Sequence, residues 1–581
     1  GDLTLGECIH NEIETQGLLE RNVALGNTLI DMYGKCGVIM KSKIVFDNLV
    51  QRDVVSWTAL ILSYVEHGYS EAALKLYEEM QIEGVLVNVV TYVSILKACS
   101  GVGDIQTGEK IHIEINKNVR RKQDIVLGNA LIDMYGKCGN LIKAQKVFDK
   151  IKMPNVISWT TLITGYVENG HNDSALHYFE QMQLKGVSPN VVTFVCILKS
   201  CSSLQDADKG KGLHAEIERQ GLLEKEIIIG NALIDMYARC GLIYKSQEVF
   251  EKIPCRNVVS WNAIITGYVE LGHAEEALSR YEQMQHEGFY ADAITFASSL
   301  KACSILKAID IGLKIHAKAE RQGLMQSDVV VGSAIVDMYV KCGSLVIAQA
   351  VFHKLPMRNV VSWTALIVGY AEHGYSEKAI EYFERMQLEG ISSDGATLVS
   401  ILKICGTLGD LNKGQEIHSE IERHGHLKGD LSIGSALIEM YAKCGLSNRA
   451  REVFDNLLAQ DVVIWSTLIE GYIENEHNEE ALECYEHMQL AHIPPNSITF
   501  VSSLKACGSI GAIKKGEEIH ANIERKGLLE GDIIIGNTLV DMYVKCGSLP
   551  MAQQVFEKLC DRDVVSWTVL MTGYAQQGQS E

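Results

Sequence analysis

Small hydrogen-bonding side chains recur at two fixed phases of this 581-residue sequence, and their identity changes from one recurrence to the next. The first phase holds Asn, Thr or Ser, and the second phase holds Asn or Asp. Amide, hydroxyl and carboxylate groups differ in donor and acceptor pattern, which is the property that distinguishes one nucleobase edge from another. We therefore predict that the residues at both phases are base readers. In chain order, each first-phase residue followed by the second-phase residue that closes its motif, they are Asn27, Asp53, Thr58, Asn88, Asn129, Asn155, Thr160, Asn190, Asn231, Asn257, Asn262, Asp292, Ser333, Asn359, Thr364, Asp394, Ser435, Asp461, Ser466, Asn496, Asn537 and Asp563.

The elements that carry these residues belong to a regular repeat. The six tryptophans stand 102 residues apart, at Trp57, Trp159, Trp261, Trp363, Trp465 and Trp567. A fixed interval of this kind indicates a repeat array. Three recurring phrases, seen first as VVSWTALILSYVEHG, SILKACS and MYGKCG, divide each block into motifs of 35, 36 and 31 residues. Each motif contains two apolar segments of helical period, as in Ser70–Glu83, where Ala73, Leu76, Tyr77 and Met80 share one face.

The repeat predicts an all-α fold, an α-solenoid superhelix of helix-turn-helix hairpins. One hairpin buries too little apolar surface alone, so neighbouring hairpins must bury each other's faces. We expect a single solenoid over residues 1–581. The sequence lacks an initial Met and stops within a motif, so we expect it to be a fragment of a longer protein. The predicted parts are a partial 36-residue motif at 1–22, a 31-residue motif at 23–53, triplets at 54–155, 156–257, 258–359, 360–461 and 462–563, and a partial 35-residue motif at 564–581.

Helix capping is the competing explanation for the two reader phases, because N-caps and turns favour the same residue types. Two observations favour base reading. The changes of identity fall at two fixed phases of the repeat, and the 36-residue motifs carry an apolar residue at the first phase. A generic cap would not be omitted so regularly. The apolar residues are Val93, Val195, Ala297, Val399 and Val501.

The phrases V-V-S-W-T, V-T-Y/F-V-S-I-L-K-A-C and G-N-A-L-I-D-M-Y-x-K-C-G, with their order and lengths, resemble the pentatricopeptide repeat family of the PLS subclass. That family, found mainly in land-plant organelles, combines standard (P), long (L) and short (S) motifs. We use P, L and S below as names for the 35-, 36- and 31-residue motifs. The resemblance covers essentially the whole chain. It implies sequence-specific binding of single-stranded RNA and a part in organellar C-to-U editing, in a plastid or a mitochondrion.

The resemblance also implies a recognition code in which each first-phase residue and the second-phase residue that closes its motif form a reader pair. Thr or Ser with Asn favours A, Thr or Ser with Asp favours G, Asn with Asp favours U, and Asn with Asn favours a pyrimidine, often C. With L motifs unread and the RNA parallel to the chain, the expected target is UANYANYUNAGNGANU. In the family the second residue of a motif packs on the base face, and ordinary packing between repeats is the alternative. These residues include Val55, Val126, Ile157, Ile228 and Val259.

Basic residues recur at two further phases, which we predict to form a ladder of phosphate ligands. A solvated helix end, or a cation that complements the helix dipole, is the alternative. The formal charge of −20 then predicts an acidic convex face and a locally basic groove. The S-phase cations are Lys35, Lys137, Arg239, Lys341, Lys443 and Lys545, and the L-phase cations are Lys97, Lys199, Lys301, Lys403 and Lys505.

Nothing in the sequence predicts catalysis, a cofactor or a bound metal. Eleven of the sixteen Cys fall in phase with the repeat, as at Cys99 and Cys138, and no Cys-x-x-Cys occurs, so we expect small buried thiols in a reducing compartment. The His-x-Glu of zinc deaminases appears, as at His112-Ile113-Glu114, but without its cysteine partners. No apolar run reaches the ~18 residues of a membrane span.

Three functions remain open from the sequence. The leading one is an RNA-binding, non-catalytic tract that guides an editing activity supplied by a missing C-terminal domain or by editing-complex proteins. The second is a protein-binding helical scaffold like the tetratricopeptide repeats, although these have a period of ~34 residues and another signature. The third is an editing enzyme in its own right, which sequence beyond Glu581 would have to support.

Overall fold

The structure, a computed structural model, describes residues 3–19, 22–117, 124–425, 430–529 and 531–576. Every regular element in these ranges is helical, which confirms the all-α solenoid of helical hairpins. The chain forms two compact units, Gly1–Ser298 and Ser299–Glu581, and each consists of alternating first and second helices. The outer ends of the predicted partial motifs 1–22 and 564–581 lie partly outside the described residues.

The P motifs each contain a first helix of uniform length and, where described, a second helix of the same length. The first helices are Val54–Glu66, Val156–Glu168, Val258–Glu270, Val360–Glu372, Val462–Glu474 and Val564–Gln576. The second helices are Ser70–Ile82, Asn172–Leu184, Ala274–His286, Ser376–Leu388 and Asn478–Leu490.

The L and S motifs follow the same plan. The L first helices are Val89–Val102, Val191–Leu204, Ala293–Leu306, Gly395–Leu408 and Ser497–Ile510, and the L second helices are Leu3–Thr15, Ile105–Lys117, Ala207–Arg219, Ile309–Arg321, Leu411–His424 and Ile513–Arg525. The S first helices are Val23–Lys35, Ile125–Lys137, Ile227–Arg239, Val329–Lys341, Leu431–Lys443 and Ile533–Lys545. The S second helices are Ile39–Asp47, Leu141–Phe148, Ile243–Lys252, Leu345–Lys354, Ser447–Asn456 and Leu549–Lys558, and a short extra helix spans Leu324–Ser327.

Each phased tryptophan joins an S motif to the following P motif. Trp57, which is almost fully buried, packs edge-to-face on Phe46 with ring centroids 4.6 Å apart. The same contact joins Trp159 to Phe148 at 4.7 Å and recurs at the later tryptophans. An aromatic pair of this geometry stabilises beyond the area it buries. The interval of 102 residues therefore reflects one structural joint used repeatedly.

A histidine joins each L motif to the following S motif. His112 Nδ1 lies 2.9 Å from the hydroxyl of Tyr135, and the other L-motif histidines make the same contact. A neutral imidazole whose proton is on Nε2 accepts a hydrogen bond from the tyrosine hydroxyl at Nδ1. The His-x-Glu phrases thus place their histidine in a joint between helices.

Small residues let the first helices of S and P motifs approach closely. A Cβ at Gly369 would lie 2.2 Å from Cγ1 of Val340 and 3.2 Å from its Cβ. The neighbouring joints use Gly136 against Gly165 and Ala238 against Gly267 in the same way. At least one member of each contact must therefore lack a side chain.

Gly369→Ala should destabilise the protein by about 1–3 kcal/mol, because the added methyl group overpacks the contact with Val340. The measurement is urea-induced unfolding followed by circular dichroism. Gly212→Ala is the matched control, since Gly212 lies within the helix Ala207–Arg219 with open space at its Cβ position. Removing a helical glycine there should stabilise by about 0.5–1 kcal/mol. Equal shifts for both variants would contradict the close-packed joint.

Stability should fall as the pH drops below about 6.5, the ordinary histidine pKa. Burial lowers the pKa of His112, His214, His316, His418 and His520. The unfolded chain therefore takes up protons before the folded chain does, so this contribution is complete above that pH and is lost below it. Thermal unfolding at pH 7.5 and pH 5.5 measures the effect.

The double variant His316→Gln with His418→Gln is the control for that pH dependence. Glutamine keeps a hydrogen-bonding group beside Tyr339 and Tyr441 but does not titrate. The fall in unfolding temperature between the two pH values should be smaller than in the unaltered protein. A fall of the same size would show that other groups cause it.

Candidate nucleic-acid interface

One face of the first helices carries the predicted reader, base-packing and phosphate positions. In the helix Ile125–Lys137, Val126, Asn129, Asp133 and Lys137 follow one another at spacings of three and four residues. Residues at these spacings lie on one helix face. We call the exposed surface formed by these positions of the first helices the reader face.

Neighbouring first helices pack side by side, so their reader faces adjoin. Within the first compact unit, Val54–Glu66 packs on Val89–Val102, which packs on Ile125–Lys137. That helix in turn packs on Val156–Glu168. Equivalent positions of successive motifs are therefore brought next to each other along the chain, one helix at a time.

The second reader phase is made of helix N-caps. Asn88 precedes the helix Val89–Val102 with an extended backbone, and its side-chain oxygen accepts a hydrogen bond from the Thr91 N–H at 2.8 Å. The other Asn and Asp residues of this phase cap their helices in the same way. The residues of the second phase are therefore helix N-caps, and the prediction that they also read bases stays a prediction. Capping is wrong for the first phase, whose residues are the fifth residues of the first helices.

The capping is reciprocal at several of these caps, which close capping boxes, among them Asp53, Asn190, Asn257, Asn359 and Asn496. The side-chain oxygen of Asn257 accepts from the Ser260 N–H at 3.0 Å, and the Asn257 backbone N–H donates to the Ser260 hydroxyl at 3.3 Å. Asn359 and Asn496 donate their backbone N–H in the same way, at 3.1 Å and 3.4 Å. The helix start thus engages the Oδ1 of these caps, which leaves Nδ2 of the asparagines as the side-chain donor.

Fifth residues contact the cap that follows them. Asn262 Nδ2 donates to both carboxylate oxygens of Asp292 at 2.9 Å, and Asn27 donates to Asp53 at 3.1 Å. The fold thus brings together residues that the sequence separates by a whole hairpin. Direct bonds also join Thr58 to Asn88, Asn231 to Asn257, Ser333 to Asn359, Ser466 to Asn496 and Asn537 to Asp563.

In two further pairs, a buried threonine at the third position of the next helix connects the fifth residue to the cap. Thr160 and Thr193 share a hydrogen bond of 2.7 Å between their hydroxyls, and Thr193 also donates to the cap Asn190 at 2.8 Å. The hydroxyl of Thr364 lies 2.8 Å from the hydroxyl of Thr397. The backbone N–H of Thr397 donates to the cap Asp394 at 2.9 Å. These hydroxyl residues occupy the third position of the helix that the cap begins. These hydroxyl residues stand in recurring sequence phrases such as VVSW and VVTY, but they are not among the residues predicted from the sequence.

Two predicted pairs are not joined in this way. The side-chain oxygen of Asn129 is buried and has no hydrogen-bond partner, although Asn155 caps the next helix. Ser435 lies 3.1 Å from the hydroxyl of Thr467 and makes no described bond to Asp461. The remaining pairs are joined directly or through the hydroxyl.

In the pair of Asn262 with Asp292, the cap is the accessible member. Asn262 is 6% exposed, whereas Asp292 is exposed. Each cap spends one side-chain oxygen on the backbone N–H of the third helix residue. The second side-chain atom, Nδ2 in Asn or Oδ2 in Asp, makes no bond to the backbone of the helix start and keeps hydrogen-bonding capacity for a ligand, although Oδ2 of Asp292 also accepts from Asn262.

Two carboxylate caps, Asp53 and Asp563, are held in the ionised form. Burial alone would raise the pKa of Asp53, but hydrogen bonds from the Ser56 backbone and hydroxyl and from the Asn27 amide outweigh it, so the pKa lies below its usual value. Similar bonds from Ser566 and Asn537 lower the pKa of Asp563. These caps can only accept hydrogen bonds at neutral pH.

The apolar second residues form an exposed ladder on the reader face. Val55, Val126, Ile157, Ile228 and Val259 are between 51% and 57% exposed. Packing between repeats therefore leaves half of each side chain open, so the packing alternative is insufficient. The L motifs continue the ladder with Val90, Val192, Ile294 and Ile498, which are exposed to the same degree.

The two cation phases differ in their surroundings. Each S-phase cation pairs with the acidic residue one turn earlier, as Lys137 does with Asp133 at 3.0 Å. The P first helix that follows adds another carboxylate, since Glu270 contributes to the raised pKa of Arg239. These cations are therefore charge-balanced, contrary to a simple basic ladder. The L-phase lysines are exposed, and no ion pair is described for Lys97, Lys199, Lys301, Lys403 or Lys505.

The described residues contain no group of three or more His, Cys, Asp or Glu side chains placed to hold a metal ion. All sixteen cysteines are free thiols, and the L-motif cysteines Cys99, Cys201, Cys303, Cys405 and Cys507 are buried. Burial raises the pKa of the Cys99 thiol to about 12, so it stays protonated. No helix in the described ranges combines the length and apolarity that a membrane span needs.

Profiles of pentatricopeptide repeats match most of this sequence. The PPR repeat family matches residues 52–101, 154–203, 256–304, 358–407 and 460–509. The PPR repeat matches residues 129–155, 231–258, 435–462, 537–564 and 565–581. Together the two profiles cover more than half of the chain.

Pentatricopeptide repeat-containing proteins of Arabidopsis thaliana are similar along nearly the whole chain. One is 32% identical over 580 residues, which cover 99% of this chain and 69% of that protein. A protein named chloroplastic is 34% identical over 514 residues, covering 88% of this chain and 58% of its own length. A protein named mitochondrial is 32% identical, covering 99% of this chain and 75% of its own length.

Solved structures share the fold. The crystal structure of the pentatricopeptide repeat protein PPR10 from maize aligns with a TM-score of 0.64 and 19% identity, covering 96% of this chain and 85% of that one. The structure of PPR10 in complex with an 18-nt psaJ RNA element aligns over the same shares with a TM-score of 0.57.

Proposed function

The chain belongs to the pentatricopeptide repeat family, and on that premise we propose that it binds single-stranded RNA in a sequence-specific manner. The observation that carries this proposal is the pairing of each fifth residue with the following cap on the reader face, as in Asn262 with Asp292. Each pair presents hydrogen-bonding atoms for one base. The solved complex of PPR10 with an RNA element supports the choice of ligand.

The cap selects between two classes of base. The free Nδ2 of an Asn cap is a donor, so it suits the ring-nitrogen acceptors N1 of A and N3 of C. The free Oδ2 of an Asp cap is an acceptor, so it suits the ring N–H groups of G and U. Sequence-specific readout of single strands uses these Watson–Crick edges. Asn88 therefore favours A or C, and Asp292 favours G or U.

The fifth residue selects within each class by size. A purine occupies more of the site, which suits a short Thr or Ser such as Thr364. A pyrimidine is smaller, and the longer Asn262 side chain fills the remaining space. The apolar second residues pack against the base faces from both sides, which any base accepts because every base has a π-face. Combined with the caps, these rules agree with the target UANYANYUNAGNGANU and favour C at its two Y positions.

The L motifs supply backbone contacts without base selection. Their fifth residues are apolar, so they cannot read a base edge, but their exposed lysines carry no described ion pair. We propose that Lys97, Lys199, Lys301, Lys403 and Lys505 neutralise phosphates. The S-phase cations contribute less because acidic neighbours already balance them, as Asp133 does for Lys137.

We also propose an organellar role in C-to-U editing, in a plastid or a mitochondrion. Relatives named chloroplastic and mitochondrial support the compartment. The tract selects the site on the RNA, and a domain outside this chain or an editing-complex protein supplies the reaction. The chain itself binds and does not catalyse.

The direct test is the affinity of the protein for UANYANYUNAGNGANU RNA and for a base-scrambled RNA of equal composition, measured at one salt concentration. We expect the matched RNA to bind at least tenfold more tightly. Equal affinities would contradict sequence-specific binding. Absence of binding to either RNA would contradict the function altogether.

Asp394→Asn should change the preferred base at its position from G to A, because the cap then offers a donor in place of an acceptor. The variant Thr364→Asn should instead change that base from G toward U. We expect a change of about 1–3 kcal/mol in relative binding for each switch. Four RNAs that differ only at this base provide the measurement. An unchanged preference in both variants would show that this pair does not read the base.

Lys97→Gln should weaken RNA binding and reduce the slope of log affinity against log salt by about 0.7, the value for one phosphate contact on a single strand. Asp133→Asn is the matched opposite, because it releases Lys137 from its ion pair. That variant should tighten binding and steepen the slope. Titrations at several salt concentrations measure both slopes. Slopes equal to that of the unaltered protein would remove these cations from the interface.

A further inference from the structure

We propose that the Ser or Thr at the third position of the helix following each reader pair is a positioning residue that sets how sharply the pair discriminates bases. This inference rests on the proposed RNA-binding function. The residue makes no contact with the base itself. Its hydroxyl fixes the fifth residue and the cap relative to one another, so that one defined cap atom faces the ligand.

The hydroxyl lies between the two readers. Thr295 is fully buried, and its Oγ1 donates to the side-chain oxygens of Asn262 at 2.5 Å and of Asp292 at 2.9 Å. Ser56 makes equivalent bonds, at 2.6 Å to Asn27 and 2.9 Å to Asp53. In these two pairs both reader side chains therefore hold one orientation through a shared donor, whereas at Asn129 and Asn155 the Ser158 hydroxyl reaches only the cap, at 3.1 Å.

A Ser or Thr at the third helix position occurs after motifs with a polar fifth residue, and it is absent after motifs with an apolar fifth residue. Every junction after a P or S motif has Ser or Thr at the third position, with one exception at Ile464. Every junction after an L motif with an apolar fifth residue has an apolar third residue instead. The chain thus keeps the hydroxyl only where a polar reader can use it. The apolar third residues are Leu127, Ile229, Val331, Ile433 and Ile535.

Helix capping does not explain this distribution. Asp124, Asp328 and Asp532 also cap their helices, yet an apolar residue follows each at the third position. Ile464 itself donates its N–H to Asp461 at 2.9 Å, and the Asp461 backbone keeps the extended ψ of 177°. The cap therefore forms without the hydroxyl.

The reader pair before Ile464 shows the consequence of losing it. Ser435 bonds to Thr467 at 3.1 Å, and no bond between Ser435 and Asp461 is described. With no shared donor, the two side chains are not held together. We expect this pair to prefer G more weakly than the pair of Thr364 with Asp394 does.

The first experiment removes the hydroxyl at constant shape. Thr295→Val replaces the hydroxyl with a methyl group, and Thr295→Ser is the conservative variant that keeps it. Affinities are measured for four RNAs that differ only at the base opposite Asn262 and Asp292. We expect the preference for U to fall about fivefold in the Val variant, the scale of one hydrogen bond, and to be restored in the Ser variant.

The second experiment adds the hydroxyl where it is missing. Ile464→Thr should raise the preference for G at the position of Ser435 and Asp461 about fivefold. Ile229→Thr is the matched control, because the same substitution at the same helix position follows Val195, which cannot use the hydroxyl. The control should leave base preference unchanged at every position.

The outcomes separate this inference from the proposed function. Unaltered discrimination in Thr295→Val and Ile464→Thr, with matched RNA still preferred over scrambled RNA, would overturn the positioning role alone. An equal loss of affinity for all four RNAs in Thr295→Val would also overturn it, because that indicates a structural role only. If Thr295→Val does not fold, Ile464→Thr still decides. No preference for matched RNA in the unaltered protein would instead overturn the proposed function.

Discussion

The hydrogen bond that the third backbone N–H of each P and L first helix donates to the cap side chain is the interaction on which this structure depends. It satisfies an N–H that would otherwise have no partner at the start of the helix. The same bond commits Oδ1 of Asn88 and of Asp292 to the backbone. In the proposed function the second side-chain atom of the cap also faces the base, so that one side chain serves both helix initiation and base selection.

Much of this arrangement could be predicted from the sequence, because periodicity fixes helices and phases. The apolar spacing in Ser70–Glu83 predicts its helix, and the toggling of Asn with Asp predicts the reader positions. The partners of a side chain across a hairpin do not follow from phase. The bond of Ser56 to Asn27 and the ion pair of Lys137 with Asp133 therefore needed three-dimensional coordinates. The bond of Ser56 to Asn27 does have a signal in the sequence, because a third helix residue with a hydroxyl group occurs only after a motif whose fifth residue is polar.

The net charge of −20 agrees with RNA binding once the charges are placed. Acidic and basic residues balance on the S first helices, where Asp133 meets Lys137, and P first helices end on glutamates such as Glu168. The exposed L-phase lysines have no described acidic partner. For the proposed function we therefore expect affinity to derive mainly from base contacts, with a modest electrostatic share and correspondingly weak binding to unrelated RNA.

Selection of bound RNAs from a random pool, followed by sequencing, tests the central claim most directly because it assumes no target. The account predicts enrichment of UANYANYUNAGNGANU, in this polarity, with fixed bases opposite the P and S motifs and no preference opposite the L motifs. The base opposite Ser435 and Asp461 should be the least sharply defined of the fixed positions. A pool without an enriched motif, or a motif whose Asn caps select G, would contradict the account.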